Sequence, residues 1–210
     1  MEKLHFQVDS RLATLLSQEY SSTEKALKEL VDNAWDADAE QVSITLPEPM
    51  SDEPIIIADD GTGMTAQELN SQYLKIASDR RVRRGERTAG KQRLIKGRKG
   101  VGKFAGLMAA SVMTLATRAR GAEVCFTLSL AELEQVADIE HLPISPKIEV
   151  CSPEQHGTTI TLSSLHQGLV YPDANRLRQL LIQEYGRQKD FTIVIDGKPL
   201  AIDDLEGSYT

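Results

Sequence analysis

Glu29, Asn33 and Asp36 stand four and then three residues apart in the run ELVDNAWDADA, residues 29–39. On an α-helix such an i, i+4, i+7 series lies along one face. A carboxylate and a carboxamide one turn apart can hold a water and a metal ion. The plainer alternative is a solvated face, because amphipathic helices carry polar residues away from the core. A second candidate is ADDGTGM, residues 58–64, where Asp59 ends an apolar run. Gly61 and Gly63 let the backbone turn sharply and approach a ligand closely. A carboxylate placed there can accept from an exocyclic amine such as that of adenine, although D-D-G-T-G is also ordinary turn chemistry.

Two glycine-bearing stretches add to these. GRKGVGKF, residues 97–104, leads into a helical pattern. Glycine-rich backbone before a helix N-terminus presents unpaired N–H groups to a phosphate. Gly97, Gly102 and Lys103 fit the Walker A spacing, but Phe104 replaces the required Ser/Thr and no apolar strand precedes Gly97. HGTTITL, residues 156–162, opens a strand with Gly157–Thr158 and says little alone.

The elements that must position these residues follow from the pattern. RLATLLSQEY reads as a short helix, and SSTEKALKELVDNAWDA as a stronger one capped by Ser21 or Ser22. Leu27, Leu30, Val31 and Ala34 form its buried stripe, roughly opposite Glu29, Asn33 and Asp36. QVSITL and IIIAD read as strands, TAQELNSQYLKIA and KFAGLMAAS as helices. VMTLATRA, AEVCFTLSL, KIEVCS, TTITLSSL and FTIVIDG are further strands, with the helix ANRLRQLLIQEYG among them. Consecutive strands joined by short turns favour antiparallel pairing. The expected fold is an α+β two-layer sandwich, a mixed and mostly antiparallel sheet with helices on one face.

Composition narrows the class. The chain has 210 residues, 40% hydrophobic and 26% charged, so a globular domain with a substantial core is expected. A net charge of −7 argues against whole-surface attraction to nucleic acid or anionic membrane. Yet residues 80–103 hold eleven Lys or Arg against one acid, Glu86. An internal basic island of this kind reads as an anion's address. Cys125 and Cys151 read as buried thiols rather than a disulfide or zinc site. MEKLHFQVDS lacks a signal peptide's apolar core and no apolar run is long enough to span a bilayer, so a cytoplasmic protein without membrane contact is expected.

Taken in order, the four stretches resemble the motifs of the GHKL superfamily, the Bergerat-fold ATP-binding domains. That superfamily includes type II topoisomerase subunits, ninety-kilodalton heat-shock chaperones, MutL mismatch-repair proteins, MORC-type ATPases and histidine kinases. ELVDNAWDA looks like the N-box, DDGTGM the G1 box, GRKGVGKF the G2 box and GTT the G3 box. The resemblance covers residues 22–165 of a single expected domain, 1–210.

The resemblance implies ATP or ADP with Mg2+ as cofactors. It makes Glu29 the general base on the attacking water and Asn33 the metal ligand, with Asp36 and Ala37 near the nucleotide. Asp59 would recognise adenine, with Gly61, Gly63 and Met64 shaping the base pocket and Thr158 supporting the aspartate. Gly100, Val101, Gly102, Lys103 and Phe104 would form the phosphate lid, and the basic island would lie in it. The island would close over polyphosphate, contact a partner or nucleic acid, or remain a solvated loop.

E-x-x-x-N-x-x-D-A resembles the hydrolytic subtype, closest to the MutL, MORC and chaperone branches, and favours an ATPase over a histidine kinase. Relatives of that kind dimerise with ATP and take a γ-phosphate cation from a following domain, for which the ~45 residues after the G3 strand are too few. The chain is therefore expected to be part of a longer protein, or a domain with slow or partner-dependent turnover. A nucleotide-gated module without useful hydrolysis is the alternative. The client, protein or nucleic acid, is open.

Overall fold

The computed structural model of the protein describes residues 22–74, 85–97, 102–135, 144–166 and 173–201. Helix α1, Thr23–Asp36, begins where Ser22 turns its hydroxyl back to accept from the Lys25 N–H at 3.3 Å. Leu27, Leu30, Val31 and Ala34 are buried, as the helical spacing predicts, whereas Glu29, Asn33 and Asp36 are half-buried. Strands β1 (Gln41–Thr45) and β2 (Ile55–Asp59) follow. The short α2, Ala66–Glu68, starts with a reciprocal cap between Thr65 and Glu68 and runs into a π turn at Leu69–Tyr73. After a 3-10 stretch at Gly102–Met108 come β3 (Ala110–Ala119), β4 (Ala122–Ser129), α3 (Leu130–Gln135), β5 (Lys147–Val150) and β6 (Gly157–Leu165). Helix α4 (Ala174–Tyr185) and strands β7 (Thr192–Ile195) and β8 (Lys198–Pro199) complete the order.

All eight strands join one sheet in the order β5-β4-β3-β6-β2-β1-β7-β8. Among the described residues only β1 and β7 pair in parallel; every other neighbouring pair is antiparallel. Burial alternates along β1, β3, β6 and β7, the mark of a sheet with one covered face. The core brings Leu27, Leu30 and Val31 of α1, Phe104 and Leu107 of the 3-10 stretch, and Leu177 and Leu181 of α4 onto sheet residues such as Ile44, Ile57, Leu115 and Leu162. The expected α+β sandwich is the fold observed.

Local differences have physical causes. KFAGLMAAS is not an α-helix: it is a 3-10 stretch, and Ala110 and Ser111 already belong to β3. A Cβ on Gly106 would lie 2.5 Å from Leu162, so tight packing on the sheet sets that backbone. TAQELNSQYLKIA is helical but widens to π at Leu69, where the side chain is fully buried. Helix α3 is absent from the sequence expectation: its first residue, Leu130, ends the expected strand AEVCFTLSL, and the five residues after it are too few for a helical period to show. The two cysteines are free and half-buried rather than fully buried. The RLATLLSQEY helix lies outside the described residues.

Four cations of the basic island are engaged with the protein itself. Arg93 is buried, stacks 4.4 Å from the Trp35 ring, and donates to the Ala39 carbonyl at 2.7 Å and to the Asp190 carboxylate at 2.9 Å. Asp190 is held below the usual carboxylate range by its hydrogen bond from Arg93. Lys96 pairs with Glu184 at 2.5 Å and lies 3.6 Å over the Tyr185 ring. Arg87 donates to the Gln92 carbonyl, and Lys91 pairs with Glu40. Residues 85–97 are thus a strap bound across the C-terminal end of α1. Replacing Arg93 by Met should lower unfolding free energy by about 2–4 kcal/mol, because buried carbonyl and carboxylate acceptors lose a charged donor. Urea denaturation read by Trp35, the only tryptophan, measures it, and a loss below about 1 kcal/mol would show the guanidinium to be dispensable.

Candidate nucleotide site

Asp59 is the last residue of β2, and its Oδ1 accepts from the N–H of Gly61 at 2.9 Å and of Thr158 at 3.3 Å. Burial pushes its carboxyl up to about 6, against those two N–H groups, which favour the charged form. The backbone around it leaves no room for side chains. A Cβ on Gly61 would come within 2.8 Å of the Ala37 Cβ. At Gly63, with φ +59°, it would fall 1.8 Å from the Arg118 carbonyl oxygen, and at Gly157, with φ +117°, 2.2 Å from the Asp59 carbonyl oxygen. His156, just before that glycine, places Nδ1 at 2.9 Å from the Asp60 carbonyl and 3.0 Å from the Gly61 carbonyl, as a donor to both.

Helix α1 joins this loop directly, through the Thr62 N–H donating to the Ala37 carbonyl at 2.9 Å. Ala37 therefore provides the small surface on which Gly61 rests. One turn back is Asn33, whose Nδ2 is the sole buried side-chain polar atom without a hydrogen-bond partner among the described residues. Which end of a carboxamide faces inward is normally fixed by its neighbours. Here no protein group fixes it, so the site fits a ligand that does. Magnesium takes few protein ligands and keeps waters and phosphate oxygens, so one carboxamide oxygen suits it. Glu29, one turn further back, is half-buried on the same face.

Asp36 has a different set of neighbours. Its two oxygens accept from the N–H groups of Lys96 and Gly97, each at 2.9 Å. Asp38 does the same for Gly90 at 2.7 Å and Lys91 at 3.1 Å. Both carboxylates therefore anchor the strap whose last described residue opens the glycine-rich stretch. Met64 is half-buried against the core and donates its N–H to the Thr117 hydroxyl at 2.9 Å. The Phe104 ring is core, 6.4 Å from Tyr73 between centroids, so it offers a ligand only its backbone. Gly102 begins the 3-10 stretch; Gly100, Val101 and the Lys103 side chain lie outside the described residues. Thr117 is absent from the sequence expectation, because a threonine inside a β-branched run reads only as strand propensity.

Residues 20–158, two thirds of the chain, match the family described as histidine kinase-, DNA gyrase B-, and HSP90-like ATPases. The chain belongs to this family. It is an ATP-binding domain of that group, and its fold and the order of its motifs agree. A protein of Herpetosiphon aurantiacus, provisionally named type II restriction enzyme HgiDII, is 27% identical over 193 residues, covering 89% of this chain. This chain spans 30% of that relative's length. No helix among the described residues is long and apolar enough to cross a membrane.

The ATP-binding domain carries a pH dependence at Asp59. The carboxyl sits at about 6 in the folded protein and near 3.8 when unfolded, so between those values the folded state holds the proton longer. Stability should fall as pH rises from about 4 to 6, by at most about 3 kcal/mol, and stay lower above that window. Asp59→Asn should flatten this slope and stabilise the ligand-free domain near pH 7. Denaturation midpoints at half-unit pH steps check the sign; a stability that rises through the window in the native chain, unchanged by Asp59→Asn, contradicts it.

Proposed function

We propose that the domain binds ATP with Mg2+ and hydrolyses it slowly, and that the cycle drives a conformational or dimerisation switch in the cytoplasm. The observation that carries this reading is the α1 face. It sets a carboxylate, Glu29, one turn from a carboxamide, Asn33, that lacks a protein partner, and ties both through Ala37 to the pocket around Asp59. Asp59 accepts from the 6-amino group of adenine, in the space bounded by Gly61, Gly63 and Met64. The Asn33 oxygen would hold Mg2+, which would supply positive charge against the phosphates. Glu29 takes a proton from the attacking water, and Asp36 holds the strap so that the glycine-rich N–H groups meet the phosphates. Among hydrolytic branches, the run E-L-V-D-N-A is most similar to MutL, MORC and the ninety-kilodalton chaperones, which supports transfer to water over transfer to histidine.

The name of the Herpetosiphon relative supports DNA as the client. On that reading the domain is the nucleotide-driven part of a larger restriction-type system, with strand cleavage performed elsewhere. The four engaged cations weaken the case that the whole basic island grips polyphosphate, because Arg87, Lys91, Arg93 and Lys96 already have protein partners.

Calorimetric titration of ATP with and without Mg2+ tests binding, and phosphate release across protein concentrations tests the switch. Magnesium-dependent binding and release that grows faster than linearly with concentration are expected; absence of binding refutes the assignment. Asp59→Asn should weaken ATP about 10–100-fold, the worth of a hydrogen bond to a charged acceptor. Glu29→Gln should leave affinity within about twofold and reduce kcat at least about 100-fold, and continued turnover would remove Glu29 as the base.

A further inference from the structure

Three side chains form one row across adjacent strands: Asp59 on β2 faces Thr158 on β6, and Thr158 faces Thr117 on β3. Asp59 and Thr158 are half-buried at the edge of the site, and Thr117 behind them has no exposed surface. The Thr117 oxygen accepts from the Met64 N–H at 2.9 Å, lies 3.2 Å from the Thr158 hydroxyl, and donates to the Gly157 carbonyl at 3.3 Å. A hydroxyl has one hydrogen and two lone pairs. With the hydrogen directed to Gly157, a carbonyl that can only accept, and one lone pair taken by Met64, the other lone pair is left for Thr158. In that arrangement Thr158 is the donor between the two threonines.

We infer that Thr117 is a specificity-determining positioning residue: by drawing the Thr158 hydrogen inward it makes Thr158 an acceptor toward the base. This rests on the proposal that Asp59 and Thr158 border an adenine pocket. A carboxylate beside an acceptor-only hydroxyl favours a purine whose 6-position donates, either directly or through a water that donates to Thr158. A 6-oxo purine held in the same pose brings a carbonyl against two acceptors and leaves buried groups unpaired, which a polar site rejects. Without Thr117, the Thr158 hydroxyl can rotate and donate outward to that carbonyl. Thr117 touches no nucleotide; it acts through Thr158 and, through Met64, on the loop that shapes the pocket.

The test compares ATP with inosine triphosphate, whose base carries a carbonyl in place of the 6-amino group, by calorimetry at pH 7.5 with Mg2+. The native domain should prefer ATP. Thr117→Val should narrow the ratio of the two dissociation constants about tenfold, the equivalent of one hydrogen bond, and Thr117→Ser should restore it. Equal weakening of both nucleotides by Thr117→Val, with the ratio unchanged, would make Thr117 a packing residue and overturn the inference. Thr158→Val keeps the Met64 acceptor in place and serves if Thr117→Val does not fold. A narrowed ratio in that variant supports the arrangement, and an unchanged one overturns it. Failure of the native domain to bind ATP would instead remove the adenine pocket itself. Native ATP binding with no preference over inosine triphosphate would leave the pocket and overturn the role of Thr117.

Discussion

The close approach of backbone to backbone around Asp59 is the constraint on which the site depends. Strand β2 ends at a carboxylate that cannot be solvated as it would be in water, so it must be held by N–H groups. The two that reach it come from Gly61, two residues on, and from Thr158, on the neighbouring strand. Both can do so only because Gly61 rests directly on Ala37, Gly63 on the Arg118 carbonyl, and Gly157 on the Asp59 carbonyl. A methyl group at any of these positions would displace an element: α1 at Gly61, β3 at Gly63, β2 at Gly157. Helix, loop and three strands are thereby fixed relative to one carboxylate. The low-polarity setting that raises its proton affinity also gives a hydrogen bond from a base more weight than it would have in water.

Helix α1 uses its polar residues in two groups. Toward the site it presents Glu29 and Asn33; from its end Asp36 and Asp38 grip the backbone of the strap. Beside these, Asp32 is paired with Lys28 at 2.8 Å and with the Tyr185 hydroxyl. Burial opposes the charge on Lys28, but its bonds to the Asp32 and Glu184 carboxylates outweigh this and raise its proton affinity. Glu184 receives Lys96 as well, so a strap residue and an α1 residue share one acid on α4. The surface-exposed part of this network contributes little by itself. Its effect is geometric, since Trp35 is enclosed by Arg93, Lys96, Tyr185 and Phe191 and cannot shift without them.

Much of this was legible in the sequence where a residue type is forced by local chemistry. The Leu27–Leu30–Val31–Ala34 stripe fixed the orientation of α1, and β2 ending at Asp59 followed from an apolar run stopped by D-D-G-T-G. The candidate residues on α1 and β2 were named from the resemblance of four ordered stretches to one family's motifs, because each spacing alone also fits a solvated face or a plain turn. What was not legible depends on partners far along the chain. Arg93 reads as one more cation in a basic run, and only the fold reveals Trp35, Ala39 and Asp190 around it. Thr117 is one β-branched residue among several on β3, and its meaning comes from standing behind Thr158. Phe104 was placed near the phosphates by its motif, yet the 3-10 geometry of its segment turns the ring into the core.

The strap also changes how the basic island must be understood. A run of eleven cations in an acidic chain suggests one electrostatic surface, but charge on a sequence is not charge on a face. Arg93 is desolvated against aromatic rings, and Lys96 is neutralised by a carboxylate while packed on Tyr185. Such cations gain little by leaving for a phosphate, because their carbonyl, carboxylate and ring partners would be left behind. The strap therefore behaves as part of the fixed wall of the domain and sets where the glycine-rich stretch begins. The N–H of Gly97, where that stretch begins, is held by Asp36, one turn along the helix from Asn33. One helix thus ties the start of the glycine-rich stretch and the Asn33 carboxamide to the same rigid body.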